Sequence, residues 1–399
     1  MLTKDKINKL SEQVFTEVKA IRRHIHKHPE LSFEEKNTAA YVQSKLEAAG
    51  YEVETGIGGF GLTALLKGEA GEGKCLGLRA DMDALPIQEA NNTEYVSRNP
   101  GVMHACGHDV HTASLLGTAM ILSELKDQFK GMVKFIFQPG EEKLPGGASL
   151  MIADGVLENP QVDMMLGQHV FPDLPWGNYG FCAGPYMAST DEIYVSIIGK
   201  GGHGAMPHKC VDPIVIMAQF INQVQTLVSR KSDPLKPVVL TFGKVNTRGG
   251  ATNIIPDQVD LEGTFRAMDE EQREELLDEL DRVCTHLARA TDSVIKLKVI
   301  KGYPSLTNDT KLTDHAFRYA KEMLGDDNTH TLPKRMTAED FAYFSNKVPA
   351  CFYRMGIANE ERGINSPVHT NTFDIEEKAF ETSSALMAFL AIRLLNESE

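Results

Sequence analysis

The sequence predicts an α/β fold: a mainly parallel sheet with helices on both faces, interrupted by an inserted ferredoxin-like α+β domain. Two patterns carry this. Strand-length apolar runs alternate with helical stretches up to Gly184-Pro185 and again near the C-terminus, as in parallel sheets covered by helices. Between Gly184-Pro185 and Gly302-Tyr-Pro304 the order changes to β-α-β-β-α-β, the split ferredoxin-like unit. The predicted domains are therefore 1–186 and 302–399, forming one sheet domain, and 187–301, the insert. A chain of 399 residues is too long for one ordinary core, which agrees with that division.

Taken in order, Ile7, Leu10, Val14, Val18, Ile21 and Ile25 recur every three or four residues, giving a first helix that Pro29 ends. His24, His26 and His28 fall in its last turns and read as solvated groups favoured by the helix dipole. A second helix over 35–49 stops at Gly50, a natural residue just beyond a helix end. Cys75–Arg79 is a short apolar run leading into Asp81-Met-Asp83. A small-residue helix follows over 111–125. Val133–Phe137 is a strand ahead of Gln138-Pro-Gly-Glu141-Glu142, and Val162–Leu166 is one ahead of Gly167-Gln-His169.

In the insert, Ile193, Val195 and Ile197 alternate as a strand does. Asp212-Pro213 caps and opens a helix to about Arg230. Strands 238–245 and 258–267, helix 270–290 and strand 294–300 complete it. Thr337–Phe341 then marks a helix start, Cys351–Met355 a strand with His369 in the loop beyond it, and 375–395 a closing helix.

The net charge of −14 argues against nucleic acid and anionic membrane as partners. No apolar run approaches a bilayer span, and the opening Met-Leu-Thr-Lys-Asp-Lys lacks a signal core. Six cysteines without paired spacing suit a reducing cytoplasm, the expected location.

The chemistry centres on Met103–Thr112, Met-His-Ala-Cys-Gly-His-Asp-Val-His-Thr. Cys106 and His108 offer a thiolate and an imidazole two residues apart, both good ligands for a borderline-soft divalent ion. A lone Cys-x-His is as readily a buried thiol beside surface histidines. What changes the balance is that Asp81, Asp83, Glu141, Glu142 and His169 each lie just beyond an apolar strand, at the edge where open α/β sheets bind ligands. Two four-coordinate ions want about eight ligand positions, which five protein donors approach if one donor and a water bridge. Glu141 and Glu142 are neighbours, so in an extended loop they point apart. One can bind metal while the other serves as general base.

Several motifs in order then resemble the metal-dependent amidohydrolase branch of the aminoacylase and carboxypeptidase G superfamily. That branch includes hippurate hydrolase, indoleacetyl-amino acid hydrolases and N-acetyl-diaminopimelate deacetylases. The motifs are Arg79–Pro86, Met103–Thr112, Phe137–Glu142, Gly199–Pro207, Asn253–Pro256 with Gly263–Arg266, and Glu339–Phe341. The resemblance runs from about Glu17 to the C-terminus. It implies a zinc-peptidase-like sheet domain with an inserted lid and dimerisation domain. It implies two divalent ions (Zn, Mn, Ni or Co) held by Cys106, His108, Glu142, His169 and His369. Glu141 would be the general base, and Asp83 would orient a ligand. His203 would stabilise the oxyanion, in some relatives from the partner subunit, and Asn253 and Arg266 would bind the substrate carboxylate. Asp81 stands where other branches have a ligating histidine, and its role stays open. His104 and His111 would shape the loop by hydrogen bonds. Asn371 departs from the proline common after the last ligand, which leaves the loop's shape open.

The expected activity is hydrolysis of the amide of small N-acyl-amino acids by a homodimer or higher oligomer. A dipeptidase or carboxypeptidase-like activity is the alternative. Rivals from other classes are a cysteine hydrolase using Cys106, a nucleobase deaminase through His28-Pro-Glu30 that lacks the completing Pro-Cys-x-x-Cys, and a non-catalytic metal-binding protein.

Overall fold

In a computed structural model of the chain, residues 4–397 are described. The first three residues of the leader reading lie outside them. The chain divides into two compact units. The first comprises Met1–Gly184, Thr307–Pro333 and Asp340–Glu399; the second comprises Pro185–Leu306 and Lys334–Glu339. No described helix is long and apolar enough to cross a membrane.

The first unit is built on an eight-stranded sheet. Its centre is four parallel strands in the order Met132–Gln138, Cys75–Asp81, Met164–Pro175, Ala350–Ala358. Every residue of Cys75–Asp81 and of Ala350–Ala358 is buried, as expected for strands covered on both faces. Antiparallel strands Gly61–Lys67 and Val53–Ile57 extend one side. Tyr179–Phe181 and Thr329–Thr331 extend the other. Helices Lys4–Lys27, His108–Ser123 and Phe380–Leu395 pack on one another. The last two are buried nearly all round, because their sequences are apolar or small on every face.

The second unit is a four-stranded antiparallel sheet in the order Val238–Arg248, Gln258–Ala267, Asp191–Ile198, Val294–Lys301. Helices Pro213–Thr226 and Glu270–Ala290 pack on it. Asp212 and Asp269 cap them through backbone N–H groups of Ile214 and Gln272. Ile193, Val195 and Ile197 are buried as their alternation predicts. Arg273 joins the second helix to the first strand, donating from Nε and Nη2 to Asp191 at 2.8 and 2.5 Å.

Two differences from the sequence reading are physical. Strand Met164–Pro175 runs well past Leu166, because Val170 and its neighbours still pair with Ala350–Ala358 after leaving Cys75–Asp81. His26 is buried, not solvated: its Nδ1 lies 2.7 Å from Asp109 and its Nε2 3.2 Å from Glu89. At about 100° per residue it points away from the face shared by His24 and His28, whose rings lie 4.7 Å apart.

Candidate metal centre

The site lies beyond the ends of the parallel strands of the first unit. The chain leaves strand Cys75–Asp81 through Asp83, and strand Met132–Gln138 through Glu141 and Glu142. Gly107, at φ +85°, turns Cys106 into the first turn of helix His108–Ser123. Val170 packs on that turn: a Cβ on Gly107 would lie 2.6 Å from its side chain, so only glycine fits. His369 also has a left-handed backbone, φ +63°, which is uncommon outside glycine. It is pinned there by its N–H donating to Ala105 O at 2.7 Å.

These turns bring all five candidate donors together. Cys106 Sγ lies 3.6 Å from His169 Nε2 and 3.3 Å from His369 Nε2. His369 Nε2 lies 3.1 Å from Glu142 Oε1. Cys106, His108 and His169 offer ligand atoms within 4.8 Å of one another, as do Cys106, Glu142 and His369. Cys106 is common to both groups. The donors fit divalent ions chemically, since thiolate, imidazole and carboxylate together suit zinc and its first-row neighbours. One observation supports the fit directly: His108 Nε2 is buried without a hydrogen-bond partner, a costly state for a polar atom unless something else meets it.

His108 and the turn that carries Glu142 are aimed from behind. His108 Nδ1 donates to Asp83 Oδ1 at 3.0 Å. Asp83 Oδ2 accepts from Ser32 Oγ at 2.6 Å and from the Glu142 N–H at 2.9 Å. One buried carboxylate thus fixes a ring orientation and the glutamate turn together. Glu35, fully buried, accepts from the Gly140 N–H at 2.7 Å and holds the same turn. Burial and the nearby Asp83 push its carboxyl up to about 7.

The glutamates do not point apart as an extended loop implies. Glu142 Oε1 and Glu141 Oε2 lie 3.9 and 4.0 Å from the same His108 Nε2, because residues 141–143 form a bend. Glu141 is buried, and its Oε1 lies 3.4 Å from the Asp340 N–H that donates to it.

Electrostatics follow from burial and these partners. Burial, reinforced by the charge of Glu142, raises the Cys106 thiol. Bonds to Cys106 and Glu142 raise His369 to about 10. Burial opposes charge on His108, but Asp81, Cys106 and the Asp83 bond together hold it well above the usual imidazole range. Burial, with Arg354 nearby, holds His169 well below it, so its ring stays a neutral donor of a lone pair.

The structure gives Asp81 partners that sequence spacing did not reveal. It accepts from Arg79 Nη1 and from His111 Nδ1, each at 2.6 Å. Arg79 also donates to Asp340 at 2.8 Å. A basic residue opening the Arg79–Pro86 motif was the available signal. His104 does not hydrogen-bond as expected: both ring nitrogens are buried without partners, and burial lowers it to about 4. In the second unit, His203 lies on the short strand Gly202–His203, paired with Ile254 beside Asn253. Both side chains are exposed. Arg266 is half-buried on strand Gln258–Ala267, opposite Val239.

A profile described as peptidase family M20/M25/M40 matches residues 77–393. An N-acyl-L-amino acid amidohydrolase of Geobacillus stearothermophilus is 43% identical over 307 residues, 77% of this chain and 82% of that protein. Hippurate hydrolase of Campylobacter jejuni is 38% identical over 383 residues, 95% of this chain and 97% of that one. A Bacillus subtilis structure, described as a dinuclear metal binding peptidase from the M20 family, superposes with a TM-score of 0.82 at 34% identity, covering 96% of this chain and 99% of that one. With a profile match across most of its length and relatives aligned nearly end to end, the chain belongs to peptidase family M20/M25/M40 and is a hydrolase of amide bonds.

Proposed function

We propose that the chain hydrolyses the amide of N-acyl-amino acids at a pair of divalent ions. The observation that carries this is the convergence of Cys106, His108, Glu142, His169 and His369 with Glu141 beside them. Cys106, His108 and His169 would hold one ion, and Cys106, Glu142 and His369 the other. When bound, such ions polarise a carbonyl and acidify a water. Zinc, manganese, nickel and cobalt all accept this donor set. Glu141 takes the proton from the attacking water and passes it to the leaving amine nitrogen. Asp83 keeps the His108 lone pair turned into the site. To His203 we assign stabilisation of the oxyanion. Its Nδ1 accepts from the Ala205 N–H at 3.1 Å, which leaves Nε2–H as the donor. Asn253 and Arg266 would take the substrate carboxylate. No hydrogen bond or ion pair engages the Arg266 guanidinium among the described residues, and burial lowers its pKa, so an arriving anion is its natural partner.

Hydrolysis of N-acetyl, N-benzoyl and N-succinyl amino acids, with and without chelator, tests this. Chelator-sensitive turnover is expected. A metal-loaded chain inert on the whole panel contradicts it, and chelator-resistant turnover favours a Cys106 nucleophile. Arg266→Lys, which loses the bidentate fork, should raise KM by about 10- to 100-fold with kcat less affected. An unchanged KM removes Arg266 from substrate binding.

We also propose a homodimer through the second unit. Its edge strand Val238–Arg248 exposes Val239 and Val245, and helix Pro213–Thr226 exposes Ile214 and Val215. Unprotected apolar edges of this kind pair with another chain. Sedimentation equilibrium should return twice the chain mass, and a monomer contradicts the proposal. All six cysteines are free, which supports a reducing compartment such as the cytoplasm, checked by cell fractionation.

A further inference from the structure

We infer that His111 is a positioning residue that aims His169 into the donor cluster, with Asp81 setting its tautomer. This rests on the metal-centre reading above. Two buried histidines, His111 and His169, meet at the peptide groups of a single residue, Val170, and the buried Asp81 meets the other nitrogen of His111. The Val170 N–H donates to His111 Nε2 at 2.9 Å. The Val170 C=O accepts from His169 Nδ1 at 2.7 Å. His111 Nδ1 in turn donates to Asp81 Oδ1 at 2.6 Å.

Matching donors to acceptors allows one arrangement only. An ionised carboxylate accepts, so His111 carries its proton on Nδ1 and a lone pair on Nε2. A backbone N–H fills that lone pair. A backbone carbonyl also only accepts, so His169 carries a proton on Nδ1, and the neutral ring then keeps its lone pair on Nε2. That lone pair lies on the side of Cys106 Sγ, 3.6 Å away. Asp81 is itself fixed by Arg79 Nη1 at 2.6 Å and by Thr112, whose hydroxyl donates to the Asp81 carbonyl at 2.7 Å. The Val170 side chain is stopped against Gly107, next to His108. Both nitrogens of His111 are therefore committed, which separates it from the metal donors beside it. Asp81, with Oδ1 bonded to His111 and Oδ2 to Arg79, acts through His111 on the strand that carries His169.

Metal binding by the full chain, stripped of metal and titrated with cobalt(II), tests the inference. Stoichiometry is read by equilibrium dialysis and the thiolate-to-cobalt absorption reports the Cys106 environment. His111→Asn keeps a donor within reach of Asp81 and loses the acceptor for Val170. It should weaken one of two ions by about 10- to 100-fold, the usual effect of losing an outer partner, and leave the other in place. His111→Gln puts an amide oxygen within reach of the Val170 N–H and should recover most of that loss. Two ions held by His111→Asn as tightly as by the wild type overturn the inference alone. Equal loss of both ions in the Asn and Gln variants, with a lowered melting temperature, also overturns it, by showing a merely structural role. A wild-type chain that binds no cobalt overturns the metal-centre reading and this inference with it.

Discussion

Glu141→Gln should lower kcat by about 10²- to 10⁴-fold, the usual worth of a general base, while both ions stay bound. The amide is nearly isosteric and still accepts from the Asp340 N–H, which now meets the Glu141 carboxylate at 3.4 Å. What it loses is the capacity to carry a proton from water to the leaving nitrogen. Glu142 is the contrasting residue, because its Oε1 lies 3.1 Å from His369 Nε2 and within the Cys106 donor group. Glu142→Gln should lose metal as well as activity. Metal content by mass spectrometry beside kcat separates the two cases. Metal loss on Glu141→Gln, with metal kept on Glu142→Gln, would reverse the two roles.

Cys106→Ser should empty the centre more completely than loss of any other donor, and turnover should fall to background. Cys106 is the one side chain that belongs to both proposed ligand groups. A hydroxyl is a poor ligand for zinc-like ions compared with a thiolate. The metal-free protein also makes the pH dependence definite. Burial, then Glu142, holds the Cys106 proton on, and His369 keeps its proton up to about 10. Ions bind the deprotonated forms, so uptake expels protons and apparent affinity rises with pH through the neutral range. Proton release on metal addition, measured in weak buffer, checks the sign. A serine variant that still binds two ions and turns over would remove Cys106 from the centre. A variant with both ions but no turnover would instead support the nucleophile rival.

Much of this was legible in the sequence, for a reason particular to parallel sheets. Strands such as Cys75–Asp81 and Ala350–Ala358 are buried on both faces, so they read as continuous apolar runs, and polar residues just beyond them stand out. Glu141, Glu142 and His169 stand out that way and Cys106 and His108 by their Cys-x-His spacing, while the choice of five donors and a base among the candidates comes from the family resemblance. The strands Val53–Ile57 and Gly61–Lys67 and the helix Thr310–Leu324 were not read. The first is mostly exposed at the sheet edge and carries little apolar signal. Less legible still were partners supplied by backbone. Neither the Val170 peptide between His111 and His169 nor the Gly140 N–H on Glu35 has a sequence signature, since every residue carries those groups. His26 was legible in principle. Three histidines at alternate positions cannot share one side of a helix, and the middle one turns inward to Asp109.

The most direct measurement is anomalous diffraction from crystals of the full chain grown with manganese or zinc. Two peaks are expected flanking the Cys106 sulfur, one met by His108 and His169 and the other by Glu142 and His369, with the Glu141 carboxylate beside them and bound to neither. A single peak away from Cys106, or His169 and His369 turned from the density, would contradict the two-ion centre.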